Sequence, residues 1–445
     1  MIGTKGYNMD VTRGEMVVGR GDPKVMALGA DVPAADRRVR RRICMITHSH
    51  YESDNRVRRY AEALVKRGDQ VDVIAVGSDS AARPVDAIAG VTVYRIQSRE
   101  RNERSKWTHA RRLIRFLVGA AVFLARHHRQ HRYDLIHVHN VPDFLVFAAW
   151  YPKLTGAKII LDIHDIVPEL YASKFGKDRF SPFVSLLKLV EKVSCWFADH
   201  VIVSNDLWKE RLLSRSVPRR KCSVFVNHVD RAIFYRRPRT RNRDKFIILF
   251  PGVLQKHQGL DVAIRAFALI AAKVPNAEFH IYGSGDAKDG LIELTEKLGL
   301  VGRVRFLSGV PLNEIAPIIA NADLGVVPKL ANSFGNEAYS TKIMEFMSQG
   351  VPVIVSRTKI DSFYFNDNVV RFFESGNAED LAAAMLDLIN NEDLRNALAR
   401  EAFKYVDQND WDVKRDEFLN LIDSLLVEEA KRAQSPTKSD VAILH

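Results

Sequence analysis

The chain has only three cysteines, Cys44, Cys195 and Cys222, an odd number with no metal-ligand spacing. That excludes a disulfide-stapled scaffold and a cysteine zinc site, and it suits buried thiols in a reducing cytoplasm. It also lacks any run of about 18 apolar residues, so no membrane-spanning helix is expected. The first 40 residues lack an apolar core followed by a small-residue cleavage site, and they close on "RRVRRR". Residues 1–40 therefore read as a disordered basic tail rather than a signal peptide. Neither aromatic-studded strands nor zinc-finger spacing is present, which argues against a nucleic-acid partner.

Acidic residues are scarce in one half only. Residues 1–250 carry 46 Lys and Arg against 26 Asp and Glu, a net of +20, whereas residues 251–445 carry 20 against 28, a net of −8. A basic half of this kind suits an anionic membrane surface or a phosphorylated substrate.

At 445 residues the chain is long enough for two full cores. Strand-like runs alternate with helical ones throughout, the pattern of a doubly wound parallel sheet. The runs "ICMITHS", "VDVIAVG", "VTVYRIQ", "DLIHVHN", "KIILDIHD", "HVIVSN" and "CSVFVN" fill the first half. After the basic linker "RRPRTRNRD" the alternation resumes with "FIILFPG", "EFHIYGSG", "VRFLSG", "LGVVP" and "VPVIVS". The expected fold class is α/β, with two facing Rossmann-like domains. The boundaries are a first Rossmann-like domain over 41–238, a second over 239–410, a helix over 411–430 packing back toward the first domain, and a polar tail over 431–445.

Polar residues collect at the expected carboxyl ends of first-half strands: His48, Ser49 and His50, then His139 and Asn140, then His164 and Asp165. Ligands in open α/β sheets bind at those ends. In the second half, "FGNEAYSTKIMEFMSQGVPVIVS" places Glu337 in a loop before a helix capped at Ser340 and stopped at Gly350, with Glu345 about one turn inside. Such a helix N-terminus offers free N–H groups to an anion, and the two carboxylates suit sugar hydroxyls. Taken alone, the segment is equally well read as acidic decoration of a helix start.

The segments "SHYESDNRVRRYAEALVKRG", "LDIHDIVPELY", "ADHVIVSND", "PGVLQKHQGLDVAIRAF", "IYGSG" and "VRFLSG", together with the Glu337–Glu345 stretch, stand in the order found in retaining nucleotide-sugar glycosyltransferases of the family 4 type. The resemblance covers about residues 42–425. It implies the GT-B architecture and a sugar moved from a nucleotide diphosphate to a polysaccharide or lipid-linked acceptor, without a metal or other cofactor. It implies that Glu337 and His164 attend the reacting sugar. Glu345 then holds the ribose, and Gly252, Gly283, Gly285 and the backbone of Ala338 and Tyr339 meet the rest of the donor. His48, Asp54, Arg56, His139 and Asp165 fall on the acceptor side, and no Asp-x-Asp motif flanks the donor site. A nucleotide-sugar epimerase and a catalytically silent assembly protein of the same fold are the alternatives.

One departure stands out. The family usually reads G-R-L and then K-G, and its Arg and Lys hold the diphosphate. Aligned on Gly252 and Gly259, those positions are Val253 and Gln258. Lys342, Lys256 and His257 are the nearby substitutes. Finally, residues 106–132 form a helix with Arg111, Arg112, Arg115, Arg126 and Arg129 within roughly 100° of arc, opposite Trp107, Leu113, Ile114, Leu117 and Leu124. The stripe is either a solvated outer face or a peripheral contact with an anionic leaflet.

Overall fold

The computed structural model describes residues 40–77, 83–98, 106–176, 181–240, 244–332 and 334–434. The expected basic tail falls outside these residues except for Arg40, as does most of the polar C-terminal tail.

The strands are β1 (Arg42–Thr47), β2 (Gln70–Gly77), β3 (Val85–Ile88), β4 (Val91–Ser98), β5 (Leu135–His139), β6 (Lys158–Ile163), β7 (His200–Val203), β8 (Cys222–Val224), β9 (Phe246–Pro251), β10 (Ala277–Tyr282), β11 (Val304–Leu307), β12 (Leu324–Val327), β13 (Val353–Ser356) and β14 (Arg371–Phe373). The helices are α1 (Asn55–Arg67), α2 (Lys106–Gln130), α3 (Trp150–Leu154), α4 (Val167–Phe175), α5 (Pro182–Phe197), α6 (Asp206–Leu213), α7 (Leu260–Ile270), α8 (Lys288–Lys297), α9 (Leu312–Ala320), α10 (Thr341–Ser348), α11 (Lys359–Tyr364), α12 (Ala378–Asn390), α13 (Glu392–Asn409) and α14 (Trp411–Gln434).

Two sheets result, ordered β3-β4-β2-β1-β5-β6-β7-β8 and β11-β10-β9-β12-β13-β14. All pairings are parallel except β3 with β4. The Val- and Ile-rich strands suit burial on both faces. Along β1, Cys44 and Ile46 enter one core with α2 and α5, while Ile43 and Met45 enter the other with α1. The second sheet is covered likewise, by α7 and α12 on one face and by α9 and α10 on the other. All three cysteines are free and buried.

α14 follows the second domain in sequence yet packs on the first. Phe418, Ile422 and Leu426 join the α1 core, where Phe418 stacks on Tyr60 with ring centroids 4.3 Å apart. The expected helix at 411–430 is this element, and it runs on to Gln434.

In each sheet the chain reverses its winding beside a central strand, β1 in the first and β9 in the second. Doubly wound sheets open a crevice at the carboxyl ends of such strands.

Candidate active site

A cavity of about 660 Å³ lies where the carboxyl ends of the two sheets face each other. From the first domain it is lined by Asp54, Arg56, His164, Asp165, Ser204 and Trp208, and from the second by Val253, His257, Gln258, Lys329 and the run Ala338–Lys342. A roomier hollow of about 800 Å³ sits at the opposite, amino end of the second sheet, beside Phe246 and the linker arginines. Arg239 there is paired with Asp323 at 2.6 Å, and the hollow lies away from the carboxyl strand ends where ligands of such sheets bind.

The first-domain wall rests on a buried ionic hub. Arg56 grips Asp162 with two hydrogen bonds, at 2.7 and 3.0 Å, and donates a third to the Phe225 carbonyl. Asp162 Oδ2 also lies 3.2 Å from His139 Nδ1 and 3.3 Å from His164 Nε2. Despite complete burial, Arg56 first and then the histidines hold Asp162 well below the usual carboxylate range. His139 Nδ1 lies 3.2 Å from the same His164 nitrogen, so the hub engages the His164 ring through Nε2 and not through Nδ1. The main chain fixes the ring further: the His164 N–H donates to Asn140 Oδ1 at 2.7 Å, and its carbonyl accepts from Ser204 Oγ at 2.8 Å.

His139 does not reach the cleft. It is completely buried beside His137 and Tyr60, and burial pushes its pKa down to about 3, so it acts only through Asp162 and His164. His48 packs edge-on against Phe116 at 5.0 Å and is outside the lining too. Asp54 lines the cleft while capping α1, accepting from the Val57 N–H and the Ser49 hydroxyl. Asp165 lines it as well, its carboxyl pushed up by burial. His137, His139 and Asp162 stand close enough to bracket a cation. Both Asp162 oxygens already serve Arg56, so the trio is an ion-pair hub rather than a metal cradle.

The second-domain wall is cationic and carries no carboxylate in its lining. Among the described residues, neither the Tyr339 N–H nor those of Ser340, Thr341 and Lys342 have a hydrogen-bond partner, and these groups lead into the first turn of α10. Ser340 occupies the N-cap position without its hydroxyl capping the helix, which leaves those donors open. The Ala338 N–H is not among them, because the turn closes it onto the Phe334 carbonyl at 2.9 Å.

Lys342, at the second position of α10, runs across Gly252. A Cβ on Gly252 would collide with the lysine Cε, and the residue's φ of +144° favours glycine as well. The Lys342 Nζ lies 5.4 Å from the Phe250 ring centroid, and burial pushes its ammonium below the ordinary range while Glu345 pulls the other way. His257 is kept neutral by burial and then by Lys342 and Lys329, and its Nε2 accepts from Gln258 at 2.9 Å. Lys256 is exposed on the adjoining turn and outside the lining. Gly283 and Gly285 are also outside it. A Cβ on Gly283 would strike the Gly252 carbonyl and one on Gly285 that of Leu254, so both glycines serve the packing of two strand-end loops.

Neither member of the glutamate pair lines the cavity. Glu345 sits one turn into α10, where burial raises its pKa and Lys342 and the Thr341 hydroxyl lower it. Glu337 turns toward the first domain: its carboxylate pairs with Arg211 of α6, and its carbonyl accepts from Asn205 Nδ2 at 3.1 Å.

A family model described as "Glycosyl transferase 4-like domain" matches residues 53–228, and one described as "Glycosyl transferases group 1" matches residues 233–405. The chain belongs to the family 4-type glycosyltransferases. This glycosyltransferase is 27% identical over 377 residues to a D-inositol 3-phosphate glycosyltransferase of Mycobacterium leprae, a match covering 80% of this chain and 84% of that one. It shares its GT-B fold with a sucrose-phosphate synthase of Thermosynechococcus elongatus, at a TM-score of 0.72 and 19% identity over 87% of this chain and all of the other. The Anabaena protein HepE in complex with UDP and glucose superposes at a TM-score of 0.65 and 17% identity, covering 86% of this chain and 100% of that one.

Two residues that shape the candidate site, one in the lining and one behind it, have no signal in the sequence. Lys329, just past β12, is 3% exposed, pairs with Asp361 at 2.9 Å and donates to the Ala338 carbonyl at 2.6 Å. C=O and N–H point opposite ways across a trans peptide, so this bond turns the Tyr339 N–H away from Lys329. Arg211 is the other. An isolated Lys in a strand-end loop and an Arg on an ordinary amphipathic helix look like solvated charges until the fold sets them against the cleft.

Proposed function

We propose that this glycosyltransferase moves a sugar from a nucleotide-diphosphate sugar to a hydroxyl of a polysaccharide or lipid-linked glycan, with retention of configuration and without a metal. The observation that carries the reading is the opposition of two walls. One holds open N–H groups and Lys342 at a helix N-terminus, and the other holds His164, whose Nδ1 the buried hub leaves unengaged.

As the glycosidic bond breaks, negative charge grows on the diphosphate and positive charge on the anomeric carbon. Donors fixed in place before reaction stabilise the leaving group most where water is excluded. Lys342 and the Tyr339–Lys342 N–H groups meet that requirement where Val253 and Gln258 supply no cation. His164 Nδ1 can hydrogen-bond a sugar hydroxyl, Glu345 is assigned to the ribose, and Glu337 to the reacting sugar. The absence of an Asp-x-Asp motif beside the donor site supports metal independence, since a bridging divalent ion takes oxygen ligands of that kind. HepE binds UDP and glucose on the same fold, which supports a nucleotide-sugar donor. In this reading Arg111, Arg112 and Arg115 rest peripherally on an anionic leaflet that carries the acceptor.

Turnover of a nucleotide sugar in EDTA, with the product's anomeric configuration read by NMR, tests the reading. Activity that survives chelation with configuration kept is expected. Inversion or complete loss on chelation overturns it, and absence of any donor hydrolysis favours the silent assembly protein.

A further inference from the structure

Three helices form a single layer over one face of the first sheet. α2 and α5 flank a short helical turn at Asp143–Ala149 and share one core with it, and α3 continues from that turn beside α2. The outer side of that layer is not the solvated surface an ordinary Rossmann helix presents. On α5, Phe183, Leu186, Leu189, Val193 and Trp196 recur every three or four residues on one side, and Trp196 is 77% exposed. The opposite side of the helix buries Val184, Ser194 and Cys195. α3 adds Trp150 and Leu154, the latter also 77% exposed.

On α2 the arc differs from the sequence expectation. Ile114, assigned to the packed side, is 57% exposed between Arg111 and Arg115, and Val118 and Val122 continue the same stripe. Phe116, Ala120 and Leu124 are the residues that pack. Arg112 is half-buried and interacts with a neighbouring group.

Among the described residues these helices present no exposed carboxylate, and Asp199, just past α5, is held by Lys153 of α3 at 2.9 Å. α2 and α3 contain no Asp or Glu at all, and the single acidic residue of α5, Glu191, is buried against Arg215. Exposed cations remain at Arg111, Arg115, Arg126 and Lys192.

We propose that this face docks on an anionic lipid bilayer, with α5 and the end of α3 entering the interfacial region and the α2 arginines meeting the lipid phosphates. A helix face that mixes aliphatic and aromatic side chains with cations lies in the headgroup boundary, held by apolar burial plus attraction to anionic lipid. A second copy of the chain fits poorly. A two-fold interface would set the same basic surfaces against each other. The ridge also leads to the site. α4 packs on α5, with Tyr171 and Phe183 rings 4.6 Å apart, and Leu170 of α4 lines the cleft. The purpose of the docking rests on the glycosyltransferase reading above: a head group anchored in the leaflet arrives at the cleft mouth.

The test is co-sedimentation of the full chain with vesicles of equal parts phosphatidylcholine and phosphatidylglycerol, or of phosphatidylcholine alone. Binding to the anionic vesicles only is expected. The L189S/W196S variant should lower the partition coefficient about tenfold at every salt concentration, because it removes apolar burial. The R111Q/R115Q variant should lower it at low salt only, because screening already weakens that contribution at high salt. Circular dichroism and slow donor hydrolysis should match the wild type in L189S/W196S. Unchanged partitioning of L189S/W196S, or a dimer in ultracentrifugation that this variant dissolves, overturns the proposal. Vesicle binding with no donor hydrolysis in the wild type would instead refute the enzymatic reading and leave the docking surface standing.

Discussion

At the scale of single residues, the question is which cations meet the diphosphate. Lys342 is drawn over Gly252 and kept partly desolvated, a costly place for an ammonium at the positive end of a helix unless an anion arrives. Lys342→Ala should therefore lower kcat/KM for the donor by about 30- to 150-fold, or about 2–3 kcal/mol, with the fold intact. Lys329 behaves differently, because its charge is already matched by buried Asp361. Removing it strands that carboxylate, so Lys329→Ala should cost about 3–5 kcal/mol of folding stability in urea as well as activity. A loss under threefold for Lys342→Ala would leave the lysine with no part in leaving-group stabilisation. The sequence shows Lys342 beside its helix cap, since local spacing fixes its position on α10. It cannot show Lys329, whose role depends on a carboxylate 32 positions away that only the fold brings near.

At the scale of elements, the parallel strands were legible because buried β-branched runs bounded by turns leave little ambiguity. The two that escaped are β3 and β14. β3 is a four-residue edge strand with half of its side chains exposed, and β14 is three residues long at the other sheet's edge, so neither carries a full apolar run. The arc of α2 was misplaced for a related reason. Counting apolar residues cannot say which of two aliphatic sides is packed when both Ile114 and Phe116 are available. α14 is legible as an amphipathic helix, and its partner follows from the fold: Phe418 lies among Tyr60, His137, Phe225 and Trp411. Phe418→Ala should destabilise the protein by about 3–5 kcal/mol. The loss should fall on the first domain although the substitution lies after the second, and hydrogen exchange of α1 amides reads it. Protection lost only within α13 and α14 would show that α14 contributes nothing to the first domain's core.

At the scale of the whole molecule, the two domains meet beside the cleft through the packing of Phe334 on Trp208 and a small set of polar contacts. The Tyr364 hydroxyl donates to Asp206 at 2.8 Å, Asn205 holds the Glu337 carbonyl, and Arg211 holds the Glu337 carboxylate. Arg211 also lies 3.5 Å from Glu169, a first-domain carboxylate that Arg215 engages as well. The glutamate assigned to the reacting sugar is thus aimed by the opposite domain, whereas Glu345 is held by neighbours on its own helix. A division of labour follows. Glu345→Ala should weaken nucleotide binding, while Glu337→Ala should chiefly slow turnover at saturating donor. Arg211→Ala should resemble Glu337→Ala, and the double variant should be little worse than either single one, because each substitution removes the same contact. Calorimetric donor affinities together with kcat for the four proteins decide the matter. Additive losses for Arg211 and Glu337 would mean that the arginine does not act through the glutamate. Equal affinity losses for Glu337→Ala and Glu345→Ala would refute the separation of sugar and ribose between them.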